Sequence, residues 1–362
     1  MARDLRPARQ DAVRAALAKE GVDALLVSHL PNIRYLTGFT GSAGLLVVGP
    51  SRSILVTDFR YATQGPLEAG ASAHVEVDAT SVWERLGRVL ATEQLDSLGV
   101  EAHHFTLHQA ERLRGLYRER VVPLGEVVER FRAQKAPEEV ASIRAAAALA
   151  QEALAEVVPT VRVGETEAEV GSRLEAALRR RGSEWHPFPT IVASGPRSAL
   201  PHARTSTRTI GRGEWLLLDF GAQVDGYCAD LTRTVVVGAP ADGRQREVYE
   251  VVRLAQRRAR EAVRPGMTGR EADALARDAI ARAGFGDAFG HSLGHGLGLE
   301  VHEAPRLAQS AEALLPAQAV VTIEPGIYLP GWGGVRLEDD VLLAPDGPEL
   351  LSDGQTELLE LR

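Results

Sequence analysis

Cysteine and lysine are almost missing. Cys228 is the one thiol in 362 residues, and Lys19 and Lys135 are the only lysines, so arginine carries nearly all the positive charge. A lone thiol excludes an internal disulfide and any zinc cage built from cysteines. Neither lysine stands in a Gly-Lys-Ser/Thr context, which excludes a P-loop. No G-x-G-x-x-G follows a strand pattern. The nearest approach to G-x-S-x-G, Gly41-Ser42-Ala43-Gly44, has Thr40 where the first glycine belongs. Nucleotide binding and the nucleophile-elbow hydrolases both fall away. No run of 18 apolar residues occurs, so no membrane span is expected. The N-terminus lacks the apolar core of a signal peptide. A formal net charge of −8 argues against nucleic acid as a partner. A cytoplasmic protein is expected.

What is present suits a globular chain of about two domains, with 44% hydrophobic and 25% charged residues. Residues 1–130 alternate helix and strand patterns: helices over 8–20, 82–94 and 106–118, and strands near 24–28, 44–48, 53–57, 98–101 and 121–124. That is an α/β unit of domain size. The polar stretch 131–137 reads as a linker, with Pro137 at a first helical position and Glu138 and Glu139 in the first turn. The second domain, 138–362, contains a repeat. Gly164-Glu165-Thr166-Glu167-Ala168-Glu169 and Gly266-Met267-Thr268-Gly269-Arg270-Glu271 share G-x-T-x-x-E at an offset of 102 residues. In each, Thr and Glu are spaced for a capping box, and the helix that follows ends at a glycine, Gly182 or Gly284. Two capped helices can look alike by chance; the alternative is a duplicated half-domain with a pseudo-twofold axis.

The segment 215–234, WLLLDFGAQVDGYCADLTRT, is apolar enough for a sheet centre yet holds Asp219 and Asp230. Asp225-Gly226 signals a two-residue hairpin turn. Pairing Val224 with Tyr227 sets Asp219 opposite Thr232 and points both aspartates from one face, their Cβ atoms roughly 7 Å apart or less. Unpaired, they would repel; one or two divalent cations would satisfy both. Further donors follow. GHSLGHGLGLEVHE (290–303) carries His291, His295 and His302, an apolar strand ends at Glu324 before Pro-Gly, and Glu338 interrupts another strand. His291 and His295 lack the H-E-x-x-H glutamate, and the glycines disfavour a helix there. Each element alone is ordinary; their conjunction is not. Four carboxylates and one imidazole form a hard donor set, favouring Mn²⁺, Co²⁺ or Mg²⁺, with charge enough for two ions.

DFGA…YCADLTRT, GHGLGLEVHE, IEPGIY and GVRLEDD resemble the dinuclear pita-bread metallopeptidases, the group of methionine aminopeptidase, prolidase and aminopeptidase P. The resemblance spans essentially the whole chain. It implies an α/β N-terminal creatinase-like domain followed by an α+β pita-bread catalytic domain with internal pseudo-twofold duplication. It implies two divalent ions, Mn²⁺ foremost with Co²⁺ or Zn²⁺ as alternatives, held by Asp219, Asp230, His295, Glu324 and Glu338. Asp230 and Glu338 would bridge them, and Glu324 would also act as general base. By the same resemblance His202 holds the substrate near the scissile bond, and His302 hydrogen-bonds the carbonyl oxygen as it becomes tetrahedral. His291, Arg336 and Tyr328 match positions near a proline pocket, although Arg336 equally suits a structural carboxylate partner. Cys228 shares the hairpin face with Asp230, which raises the prospect that thiol reagents affect metal loading.

The extra N-terminal domain disfavours a plain methionine aminopeptidase. IRYLTGFTGSAG (33–44) and VTDFRYATQ (56–64) look most like aminopeptidase P, or else are only a strand-loop-strand with glycine turns. The expectation is an Xaa-Pro aminopeptidase acting on proline-containing peptides as a homodimer. The alternative is an Xaa-Pro dipeptidase, with Arg34 or Arg60 receiving the substrate carboxylate. A non-catalytic pseudo-peptidase would have lost metal ligands, and a creatinase-like amidine hydrolase would lack the proline-pocket residues.

Overall fold

The computed structural model describes residues 4–352 and 356–362. The chain divides into two compact units between Arg132 and Ala133. Within the stretch 131–137, Arg132 still ends a short helix, Glu129–Arg132, and Pro137 opens a long one, Pro137–Val157.

In the first unit the alternating pattern closes into one six-stranded sheet. Its strands are β1 (Ala24–Val27), β2 (Gly44–Val48), β3 (Ser53–Asp58), β4 (His74–Asp78), β5 (Ser97–Glu101) and β6 (Arg120–Leu124). They lie in the order β4-β3-β2-β1-β5-β6, with β1–β3 antiparallel and the outer pairs parallel. The sequence pattern passes over β4, whose HVEVD is a half-exposed edge strand with only Val75 and Val77 on its apolar face. The reading of 33–44 also needs correction. Leu30–Thr37 is a helix, with Pro31 in its first turn and Ile33, Leu36 and Thr37 buried on one side. Gly38, at φ 80°, ends it in the left-handed conformation that glycine adopts without strain.

The second unit supplies β7 (Ile191–Ser194), β8 (Glu214–Val224), β9 (Tyr227–Val237), β10 (Gly294–Gly296), β11 (Glu303–Leu307) and β12 (Val320–Ile323). Then follow β13 (Gly326–Leu329), β14 (Gly333–Arg336), β15 (Asp339–Ala344), β16 (Gly347–Leu350) and β17 (Glu360–Leu361). One sheet has the order β17-β9-β8-β7, a second β11-β10-β12-β15-β16, and β13 and β14 form a separate ribbon. The helices Pro137–Val157 and Glu167–Arg180 cover the first sheet, burying Ala146, Ala150 and Leu174 with Leu218 and Leu231. Gly243–Ala262 and Gly269–Arg282 cover the second, burying Val248, Val252 and Ala276 with Val321 and Val341. Among the described residues no helix is long and apolar enough to cross a membrane.

The repeat is real at the level of the backbone. Both predicted capping boxes form, Thr166 with Glu169 and Thr268 with Glu271. Gly164 N–H donates to the Ile210 carbonyl and Gly266 N–H to that of Leu315, each at 2.9 Å. Ile210 and Leu315 return bonds to Glu165 and Met267. At the far ends, Ser183 donates to Leu178 and Phe285 to Ile280, each wrapping a positive-φ glycine, Gly182 or Gly284. Chance resemblance between two caps does not reproduce both ends.

Candidate metal centre

The hairpin takes the register that its turn dictates: Val224 faces Tyr227, Asp219 faces Thr232 and Gly221 faces Asp230. Asp225 and Gly226 both have positive φ, 49° and 76°, as a type I′ turn requires. The two carboxylate motifs, DLTRT of β9 and RLEDD entering β15, are zipped together residue by residue. Asp230 N–H donates to Asp340 Oδ2 at 3.2 Å, and Thr232 Oγ1 donates to Glu338 Oε2 at 2.6 Å. Arg233 donates to Asp339 at 2.7 Å and grips the Glu338 carbonyl at 2.5 Å. Arg260, Gln256 and Ser352 also donate to Asp339, at 2.6, 2.8 and 3.0 Å. The polar residues between the expected ligands are therefore the clamp that aims them.

Donor atoms of Asp230, His295 and Glu338 lie within 4.8 Å of one another. Glu324, at the end of β12, adds its Oε1 at 3.4 Å from His295 Nε2, whose distance to Asp230 Oδ2 is 3.9 Å. His295 Nδ1 sits 3.1 Å from the Gly296 carbonyl. A carbonyl only accepts, so that nitrogen carries the proton and Nε2 presents a lone pair to the carboxylates. Asp219 stands apart from this group: its Oδ2 accepts from the Arg336 guanidinium.

Burial dominates the electrostatics. It raises Asp230 and Glu338 well above the usual carboxylate range, and repulsion among the acidic neighbours adds to it. Burial also raises Asp219 against the opposing pull of Arg336, and lifts Glu324 to about 7. His295 is lowered to about 4 by burial and by His302. Among the described residues Asp230 Oδ1 is buried with no hydrogen-bond partner. A buried carboxylate oxygen without a donor is costly. Hard oxygens, one imidazole lone pair and an orphaned anionic atom converge, and a divalent cation fits this set.

Arg336, 3% exposed, ties the centre to its walls. Beyond Asp219 it donates to Thr232 Oγ1 at 3.0 Å, Tyr328 Oη at 2.9 Å and the Pro201 carbonyl at 3.1 Å. Arg336 thus has a carboxylate partner in Asp219 and also contacts Tyr328, with which the sequence groups it near a proline pocket. His291 Nδ1 donates to the Ser292 carbonyl at 2.8 Å, which leaves Nε2 to accept from Tyr328 Oη at 2.9 Å. The order Arg336 to Tyr328 to His291 follows from which atoms can donate.

Residues 141–345 match metallopeptidase family M24, and residues 9–134 match the creatinase/prolidase N-terminal domain. The chain belongs to metallopeptidase family M24. It is 36% identical over 345 residues to the Xaa-Pro dipeptidase of Pyrococcus horikoshii, covering 94% of this chain and 95% of that one. Among solved structures it is similar to the Xaa-Pro dipeptidase from Bacillus anthracis, with a TM-score of 0.95 at 37% identity, covering 98% and 100% of the two chains. It is also similar to the X-Pro aminopeptidase of Thermotoga maritima, with a TM-score of 0.90 at 34% identity, covering 97% and 99%. The fold is thus the pita-bread architecture of the prolidases, and the M24 family depends on a dinuclear metal site.

Other residues of this M24 metallopeptidase divide by position. His302 is exposed, its ring edge-on to His295 with centroids 4.3 Å apart, and burial of part of the ring and His202 lower its pKa. His202 is exposed on the loop after β7. Cys228 is buried, and burial pushes its thiol up to about 12. A buried thiol with a raised pKa is poorly nucleophilic, which weighs towards packing as its role. Arg60 is committed to Asp58 through two donors, at 2.9 and 2.7 Å. Sequence patterns alone do not single out Arg306. This exposed residue of β11 pairs in register with His295, and its charge lowers both His295 and His302. The signal is the arginine four residues beyond His302, visible as HEAPR but without meaning until β10 and β11 are paired.

Proposed function

We propose that this metallopeptidase hydrolyses Xaa-Pro dipeptides. The observation that carries the reading is near full-length similarity, through both units, to proteins described as Xaa-Pro dipeptidases. That moves the weight from the aminopeptidase expectation to its alternative. The two stretches behind the aminopeptidase expectation are a helix with its following loop and a strand running into a single 3₁₀ turn. Arg306 supplies the physical reason. A dipeptidase needs a cation to receive the free carboxylate beside the proline ring, and Arg306 stands opposite His295, exposed, with its charge felt at His302.

In this reading Asp230, His295, Glu338, Glu324 and Asp219 hold two divalent ions, Mn²⁺ being favoured by the hard donor set. Bound there, the ions would supply Lewis acidity at the scissile carbonyl and make the attacking water more acidic. Glu324 takes a proton from that water and passes it to the proline nitrogen as the C–N bond breaks. His302 donates to the carbonyl oxygen as negative charge gathers on it, and His202 holds the substrate chain. His291 and Tyr328 bound the proline ring, and Arg306 receives the terminal carboxylate. An Xaa-Pro bond has no N–H, so peptidases that bind that group cannot use it; none of these contacts requires it.

A hydrolysis panel tests this. Xaa-Pro dipeptides are expected to be cleaved with higher kcat/KM than Xaa-Pro-Xaa tripeptides, and replacing proline by alanine should remove most of the activity. Loss of one charge-assisted contact of ~1.5–3 kcal/mol makes Arg306→Ala about 10–100-fold worse on dipeptides, chiefly in KM. Tripeptide cleavage should change little. A preference for tripeptides with a silent Arg306→Ala would favour the aminopeptidase reading, to which the Thermotoga maritima similarity also points.

A further inference from the structure

Two buried carboxylates stand outside the donor set, one on each repeated helix, and each grips a loop that carries a histidine. Glu167 is fully buried at the start of Glu167–Arg180. Its Oε1 accepts from Ser194 N–H and Ser194 Oγ at 2.8 and 2.9 Å, and its Oε2 from Ser206 N–H and Ser206 Oγ at 3.1 and 2.6 Å. Ser194 and Ser206 are the two ends of the segment that contains His202. Arg197 lies between them, bonded to Glu167 at 3.1 Å and reaching across the loop to the Arg204 carbonyl. One carboxylate thus pins both ends of the loop and its internal brace.

Asp273 is 1% exposed on Gly269–Arg282. Its Oδ1 accepts from Leu293 N–H at 3.0 Å and from Arg277 at 2.8 Å. Arg277 in turn donates to the carbonyls of Phe289 and His291, at 2.7 and 2.6 Å. The segment 289–293 is held at both ends, with His291 between. A buried charge is stable only when paired and hydrogen-bonded, and here the partners include loop N–H groups, from Ser194 and Ser206 in one copy and Leu293 in the other.

The two anchors do not occupy equivalent positions. By the offset of 102, Glu167 corresponds to Gly269 and Gly171 to Asp273, so the carboxylate has moved one helical turn between copies. The glycine left in its place is constrained in the second copy: a Cβ on Gly269 would meet the Arg306 carbonyl at 2.1 Å. A side chain there would push aside the strand that carries Arg306.

We propose that Glu167 and the Asp273–Arg277 pair are positioning residues, each fixing from its own copy of the repeat one of the two histidine loops beside the metal centre. The kinetic consequence rests on the functional reading above, in which His202 and His291 handle the substrate. The test is a pair of double-mutant cycles on the Mn²⁺-loaded full chain with an Xaa-Pro dipeptide, together with hydrogen exchange of segments 195–205 and 289–293. Glu167→Gln is expected to lower kcat/KM by about 10-fold or more with metal content unchanged, as outer partners of a site do. Added to His202→Ala it should cost no more than about a further twofold, whereas added to His291→Ala the losses should multiply. Asp273→Asn should show the mirror pattern. Arg197→Ala, at a side chain 30% exposed, repeats the first cycle if Glu167→Gln folds poorly. Multiplicative losses within one loop would overturn the proposal. If His202→Ala proves silent, the substrate-handling reading fails, and exchange alone decides the positioning. Faster exchange confined to 195–205 in Glu167→Gln upholds it, and unchanged or uniformly faster exchange overturns it.

Discussion

Asp230→Asn is expected to abolish hydrolysis and, in metal-free protein, to raise thermal stability. The two effects have one cause. Asp230 is buried within reach of the charges of Glu338, Asp219 and Glu324, its Oδ1 unpartnered among the described residues, and like charges there oppose one another. Metal-free, that crowding is a cost of folding, and an amide removes one contributor while leaving the Asp230 N–H bond to Asp340 in place. A gain of about 1 kcal/mol or more is expected, a few degrees in Tm for a unit of this size. Metal-loaded protein reverses the order, because ligand binding stabilises wild type but not the variant. Losing several kcal/mol of Lewis-acid stabilisation at ~1.4 kcal/mol per decade places the loss of kcat/KM near 10³-fold or beyond. Differential scanning calorimetry with and without Mn²⁺, beside kinetics, checks both. A variant less stable than wild type in metal-free form would show that the carboxylates are satisfied by the protein itself.

His302→Ala carries the second large effect. The ring stands edge-on to His295, and part burial keeps it neutral near pH 7, able to donate through one nitrogen without bringing a charge. A donor aimed at a developing oxyanion costs about 10²–10³-fold in kcat when removed. Metal content should be unchanged, since His302 is not among the five residues proposed to hold the ions and its side chain is not in the group formed by Asp230, His295 and Glu338. Metal analysis beside kcat separates the roles: a variant that loses metal would make His302 a ligand instead.

The central hairpin is legible in the amino-acid sequence because two signals agree on it. Asp-Gly fixes the turn, and alternation fixes which face each aspartate takes. Asp230 and Glu338, which the structure groups with His295, are legible as a pair because carboxylates on apolar strands violate local preference, and such violations gather at functional sites. The capped repeat is legible from spacing alone. What is not legible depends on contacts distant in sequence or on weak local patterns. Leu30–Thr37 is only eight residues, with an isoleucine and a tyrosine that suit a strand equally. Arg306 acquires meaning only once β11 pairs with β10, across a register shift between His295 and Gly296. Glu167 reads as an ordinary first-turn acid until the loop ending at Ser206 folds back onto it.

The most direct test of a metal-dependent Xaa-Pro dipeptidase is titration of chelated protein with Mn²⁺ while following hydrolysis of an Xaa-Pro dipeptide. Activity is expected to be absent after chelation and to return as up to two ions bind per chain, as a dinuclear centre requires. Full hydrolysis by protein shown to be metal-free would contradict it.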